Sequence, residues 1–254
     1  MQLNDILAQL VIMSRNLGAP ALDCAILGEG NTSARADDET FWVKASGAEL
    51  GAIEASGFVR VRFDRVLALL EMGSPSDDDM KAGLEAARVD PAAIARPSVE
   101  TALHALALQL EGVNFVGHTH PTAVNAILCS QKVEEAVAGR LFPDEIVVCG
   151  PAPAYVPYTD PGLPLARKVR DVLNRYLEDY GEPPKVILMQ NHGLIALGRS
   201  PQEVENITAM TVKAARVLLG TYALGGPHFL SLEAVTRIHT RPDEEYRRKE
   251  LGVR

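Results

Sequence analysis

Cysteine is scarce in this chain: Cys24, Cys129 and Cys149 are the only three among 254 residues. Their odd number, their wide spacing and the lack of any Cys-x-x-Cys argue against a disulfide framework and a cysteine zinc site, and make the cytoplasm the expected compartment. Basic charge is also in short supply. Lys and Arg number 25 against 33 Asp and Glu, the net charge is −8 and the pI is about 5.3. With no basic run, a nucleic-acid surface is not expected. An anionic small molecule remains compatible with this balance, because a local metal ion and backbone N–H groups can outweigh the global charge. No segment has the length of a membrane span, and the N-terminus lacks the basic region, apolar stretch and small-residue cleavage site of a leader, so no membrane partner is expected. Repeats and low-complexity tracts are absent as well.

What is present fits one large α/β domain: 47% of the residues are hydrophobic, ample for a core at this length. Leu3, Ile6, Leu7, Leu10 and Val11 fall on one face of a helix expected over 3–16. The Gly30–Asn31 turn, then 32–35 and 40–44, read as a β-hairpin with an acidic tip, followed by a strand in FVRVRFD and a helix in DRVLALLEM. Residues 73–97 are loop-like, with a short helix in MKAGLEAAR. A helix over 99–110 follows, with Ser98 at its N-cap and Glu100 in its first turn, where a carboxylate suits the helix dipole. One turn further on, His104 reads as a residue satisfied locally. After the VNFVGHTH strand come a helical TAVNAILC, a strand in EIVVCG and a proline-rich extended rim over 151–164. A helix over 165–180, two short strands in KVILMQNHGLIALG joined at 191–193, and a helix over 201–220 complete the pattern. The tail from Gly225 is charged and expected to be mobile or ordered by a partner.

Three histidines carry the chemistry. In an extended segment residues i and i+2 share a face, so His118 and His120 of VGHTHP can reach one ion, and His192 of QNHGLIALG stands at a strand corner of similar rigidity. Three protein nitrogens leave a fourth position open, as a catalytic metal requires, and a nearby carboxylate such as Glu100 can move protons. Taken alone, His-x-His also describes ordinary polar residues on a strand rim. The Pro-Ser-x-Glu segment adds a hydroxyl and free backbone N–H groups suited to an anion.

The blocks GEGNTSAR, WVKASGAEL, PSVETALHALA, VGHTHP and QNHGLIALG, in this order and spacing, resemble the class II aldolase/adducin family, including its fuculose and rhamnulose phosphate aldolases, over roughly Asp5 to Gly220. The resemblance implies a three-layer α/β/α single domain with a central, mainly antiparallel sheet, here over 1–224 with a tail over 225–254 that a subunit interface could order. It also implies a homotetramer. It identifies His118, His120 and His192 as Zn2+ ligands, with another divalent transition metal possible. Glu100 becomes the acid/base, while Gly30, Asn31, Ser46, Gly47 and Ser98 line a phosphate. Lys44, two residues before Ser46, is expected to add a cation.

The implied activity is that of a metal-dependent aldolase cleaving a ketose phosphate to dihydroxyacetone phosphate and an aldehyde through a metal-stabilised enediolate. Two departures stand out. Val99 occupies a position where the phosphate aldolases have a second serine, and no tyrosine lies between Pro121 and Ala154 to donate a proton to the aldehyde oxygen. Tyr155, Tyr158 and Tyr246 are the remaining candidates for that role. A metal-dependent decarboxylase of a sugar-derived or oxo acid is the chief alternative. A sugar-phosphate 4-epimerase, which typically has Asp where Glu100 stands, and a non-catalytic adducin-like module follow.

Overall fold

Short runs of alternating faces assemble a single mixed sheet with a helical layer on each side. The structure, a computed structural model, describes residues 3–252; the outermost residues of the expected ranges, 1–2 and 253–254, lie outside it. The strands are β1 (Asn31–Arg35), β2 (Thr40–Lys44), β3 (Phe58–Arg62), β4 (Phe115–Thr119), β5 (Ala154–Val156), β6 (Val186–Met189) and β7 (Gly193–Gly198). They lie in the order β3-β2-β1-β4-β7-β6-β5. Every neighbouring pair is antiparallel except β5 with β6, so the expected mainly antiparallel α/β architecture is what the chain adopts.

The helices are α1 (Leu3–Leu17), α2 (Phe63–Leu69), α3 (Asp77–Ala86), α4 (Thr101–Leu108), α5 (Thr122–Leu128), α6 (Val133–Ala136), α7 (Pro143–Cys149), α8 (Leu163–Tyr180), α9 (Pro201–Tyr222), α10 (Leu232–Thr240) and α11 (Pro242–Glu250). Side chains alternate across a strand, which sorts the core in two. Val43, Val61, Val116, Ile195 and Leu197 pack with Leu103 and Leu108 of α4 and Leu165 and Val169 of α8. Ala34, Phe115, Leu194 and Ala196 pack on the other face with Leu10 and Met13 of α1 and Val204 and Ile207 of α9. At Gly117 of β4 a Cβ would come within 2.6 Å of Val204, so glycine there permits α9 to lie close to the sheet.

Several expectations shift. The segment EIVVCG, expected as a strand, lies in α7. Pro143 in its first turn, Asp144 and Glu145 near its N-terminus and Gly150 with φ 76° at its end set its limits. Ile146, Val147 and Val148 are all buried, so the β-branched run serves a helix enclosed on several sides. The helix carrying Glu100 starts later and ends earlier than 99–110: its N-cap is Glu100 rather than Ser98. Ser98 instead forms the preceding turn, its carbonyl accepting from Thr101 N at 3.1 Å. Within 73–97, α3 begins at Asp77 because Ser76 and Asp79 form a reciprocal capping box. The proline-rich rim contributes β5, and the tail folds as α10 and α11 packed on α7. Among the described residues no helix is long and apolar enough to cross a membrane.

Candidate metal centre

β4 supplies His118, which lies beside Asn31 of β1 and Ile195 of β7 on the sheet face that α4 covers. His120 follows just past the strand end. His192 sits in the β6–β7 turn, where Asn191 takes a left-handed conformation (φ 55°) that asparagine tolerates better than most residues. Asn125 of α5 donates to the His192 carbonyl at 3.1 Å, and Asn191 N donates to Leu128 O at 3.2 Å, so α5 holds this turn from below. The three rings converge: one nitrogen from each lies within 4.8 Å of the others. Ring centroids are 4.7, 4.9 and 5.3 Å apart. Gly193 makes room for them, since a Cβ there would lie 2.6 Å from His120 Cδ2 and 2.7 Å from Thr119 O.

The donor set suits a metal ion. His118 Nδ1 lies 3.0 Å from Leu194 O, so Nδ1–H donates and Nε2 keeps its lone pair for the centre. His120 Nε2 stands 3.0 Å from His118 Nε2. Burial, with neighbouring imidazoles, pulls His118 and His120 down to about 4, which keeps both rings neutral as ligation requires. Glu29, in GEGN, approaches His120 Nδ1 at 3.8 Å and accepts from Ile26 N at 3.0 Å, an outer contact not anticipated from the sequence.

Glu100 closes the ring of imidazoles. Its carboxylate lies 3.1 Å from His192 Nε2 and 3.6 Å from His118 Nε2, and Asn31 Nδ2 donates to it at 2.6 Å. Burial alone would raise this carboxyl; the facing imidazoles of His118 and His192 and the Asn31 amide outweigh it and hold it well below the usual carboxylate range.

Around Glu100 the expected anion-binding residues gather unevenly. Asn31 Nδ2 also lies 3.4 Å from Ser98 Oγ, and Ser98 Oγ accepts from Glu100 N at 3.3 Å. Gly30 (φ 64°) packs on the His118 carbonyl, which a Cβ would meet at 2.5 Å. Ser46 and Gly47 (φ 80°) lie in the turn beyond β2, with Ser46 N bonded to Arg96 O at 2.9 Å. Lys44 is buried, its Nζ donating to Gly28 O at 3.3 Å and Ala48 O at 2.5 Å. It braces the two loops beside the cradle.

His104 is not satisfied locally. It is fully buried and bonded to Ser33 at 2.7 Å and to Asn31, both on β1. Spacing within α4 carried no signal of this, because the partners come from a distant strand. Among the tyrosines, Tyr158 is tied to the metal-bearing turn, its N donating to Gln190 Oε1 at 3.0 Å, and its hydroxyl bonds Asp160 at 3.1 Å. Tyr155 belongs to the core on the opposite sheet face from His118, and Tyr246 lies exposed on α11.

Residues 8–219 match the family described as Class II Aldolase and Adducin N-terminal domain, and the chain belongs to that family. Among curated proteins it is 29% identical over 182 residues to a methylthioribulose-1-phosphate dehydratase of Leptospira interrogans, covering 67% of this chain and 65% of that protein. It is 27% identical over 220 residues to the uncharacterized oxidoreductase YuxG of Bacillus subtilis, covering 82% of this chain and only 28% of that protein. The chain thus spans less than two thirds of either relative. Among solved structures, the N-terminal Class II Aldolase domain of a conserved protein from Thermoplasma acidophilum aligns with a TM-score of 0.65 at 28% identity, over 83% of this chain and 92% of that one. An L-fuculose 1-phosphate aldolase aligns with a TM-score of 0.70 over 96% of each chain; at 16% identity it speaks for the fold alone.

Proposed function

We propose that this protein is a divalent-metal-dependent lyase that cleaves a ketose 1-phosphate to dihydroxyacetone phosphate and an aldehyde, acting as a homotetramer. The observation that carries this reading is the position of Glu100, lodged between two of three convergent imidazoles on one side and the amide of Asn31 on the other. His118, His120 and His192 would hold the metal, with zinc favoured by an all-imidazole set. When bound, the ion supplies Lewis-acid polarisation of the substrate carbonyl.

The chain's own residues do the rest. Asn31, Ser98, Ser46 and the Gly30 and Gly47 backbones would receive the phosphate, through an amide, hydroxyls and close-approaching peptide groups. The imidazole and Asn31 contacts of Glu100 outweigh its burial and favour the ionised form, suited to taking up a proton and passing it on. In the cleavage direction a base removes the proton of the hydroxyl on the far carbon, and the carbon–carbon bond breaks with its electron pair left beside the carbonyl. Glu100, ionised at rest, receives the proton released from that hydroxyl and delivers it to that carbon. Tyr158 is the tyrosine with a backbone tie to the His192 turn, and it is the candidate to exchange the hydroxyl proton.

A second reading follows from the 29% identity to a methylthioribulose-1-phosphate dehydratase: the same centre could expel water from a ketose 1-phosphate instead of breaking a carbon–carbon bond. The test is a screen of metal-loaded protein against ketose 1-phosphates and 3-oxo acids. Equal yields of dihydroxyacetone phosphate and aldehyde are expected. A dehydrated diketone product would transfer the assignment to the second reading, and carbon dioxide without aldehyde would make the protein a decarboxylase.

A further inference from the structure

Behind the anion cradle, Glu100 and Asn31 continue into a buried chain of polar side chains, His104 and Ser33, to which the reaction itself gives no role. Ser33 and His104 are fully buried and Asn31 nearly so. The direction of each hydrogen bond in this chain can be assigned. Asn31 sends one side-chain atom toward the Glu100 carboxylate at 2.6 Å; a carboxylate only accepts, so that atom is the amide nitrogen. The amide oxygen therefore faces His104 Nε2, and Nε2 must carry a hydrogen. A neutral ring has only one, so His104 Nδ1 accepts, and the Ser33 hydroxyl at 2.7 Å donates to it. Burial holds His104 neutral, down at about 4, which agrees with this single arrangement.

We infer that His104 is the positioning residue of the anion cradle: its Nε2–H, set by the Ser33 hydroxyl, locks the Asn31 amide so that the NH2 group faces the bound anion and Glu100. This rests on the reading that Asn31 lines the anion site. His104 touches neither substrate nor metal; it acts through Asn31. Without a donor at that place, the buried Asn31 oxygen has no partner, and the amide leaves its orientation or draws in water.

Glutamine and asparagine separate this role from simple core filling. A glutamine at 104 carries its amide NH2 near the place of Nε2 and can still donate to Asn31, whereas an asparagine reaches only to the place of Nδ1. The readouts are the dissociation constant of inorganic phosphate for metal-loaded protein at fixed ionic strength, the bound metal content and the thermal midpoint. His104→Asn is expected to weaken phosphate binding about tenfold, the worth of about one hydrogen bond, with metal content unchanged. His104→Gln is expected to stay within about threefold of the parent. In an Asn31→Ala background the His104→Asn change is expected to add nothing, because the two act in series.

Equal weakening by His104→Gln and His104→Asn, in proportion to lost thermal stability, would overturn the inference and leave His104 a core residue. Should His104→Asn not fold, Ser33→Ala decides. It frees the ring to take its other tautomer and is expected to weaken phosphate binding about threefold; unchanged affinity overturns the inference. A parent protein that binds metal but no phosphate overturns the reading of the anion cradle, and this inference with it. A parent that binds phosphate but is indifferent to His104→Asn overturns this inference alone.

Discussion

Glu100 and the imidazoles around it divide the work in a way that two substitutions can separate. His118 is almost wholly buried, donates from Nδ1 to the Leu194 carbonyl and presents Nε2 to the centre, so His118→Ala should abolish tight metal binding as well as activity, read by metal analysis after dialysis. Glu100→Gln keeps the volume and the contact with Asn31 while removing the proton carrier. It should retain metal yet lose turnover by about 10²- to 10⁴-fold; loss of metal together with turnover would make Glu100 a ligand rather than an acid/base. Acid acts on the same residues through folding. Burial draws His104, His118 and His120 down to about 4 from 6.5, so between those pH values the unfolded chain binds protons that the folded one refuses. Stability of the metal-free protein is therefore full above pH 6.5 and falls as the pH drops toward 4, by up to about 1.4 kcal/mol per pH unit for each proton. Urea unfolding in chelator across that range measures the slope, and His104→Gln should flatten it; a slope untouched by that change would remove His104 from the account.

At the scale of elements, the site depends on how β4, α5 and the β6–β7 turn meet. Gly193 shows this most directly. Alanine there would place a Cβ 2.6 Å from His120 Cδ2 and 2.7 Å from a backbone oxygen, and the backbone cannot swing aside as a side chain would. Gly193→Ala is expected to weaken metal binding by about 10- to 100-fold, the range seen when outer contacts of a metal site are disturbed. Competition with a chelator measures it, and an unchanged affinity would mean the rings have slack that the structure does not show. The strand bearing His118 and the two strands that flank the His192 turn were legible in the sequence because their polar residues fall at the ends of apolar runs, and His-Thr-His has the period of a strand. The helical nature of α7 was not, because Ile146, Val147 and Val148 carry a local strand preference that enclosure by α9 and α10 overrides. Nor was the partnership of His104 with Ser33 and Asn31, since it joins a helix to a strand 71 and 73 residues away and leaves no periodic trace.

For the whole molecule the open question is what α10 and α11 contribute. Composition alone suggested a mobile or partner-ordered tail, because the segment RPDEEYRRKE near its end is mostly charged. The docking contacts lie mostly in its first half: the Phe229 ring covers Gly139, where a Cβ would come within 2.5 Å of it, Leu230 N bonds Arg140 O at 2.9 Å, and Val235 is buried. Polar ties extend this attachment, with His239 at 2.8 Å from Glu182, Arg247 paired to Asp144 and Asn206 donating to Leu251 O at 3.1 Å. These exposed pairs add little to stability in water, so the apolar contacts should dominate. Burying two such side chains in part is worth about 3 kcal/mol, which for a chain of this length corresponds to a fall in thermal midpoint of about 6–12 °C. Ending the chain at Gly226 should produce that fall in calorimetry. The metal content should stay at the parent value, because among the described residues none of the three imidazoles or Glu100 is bonded to the tail. A midpoint left unchanged would return the tail to the mobile segment that its composition suggests, whereas loss of metal would mean that α7 and α9 transmit the tail's packing to the α5 turn beneath His192.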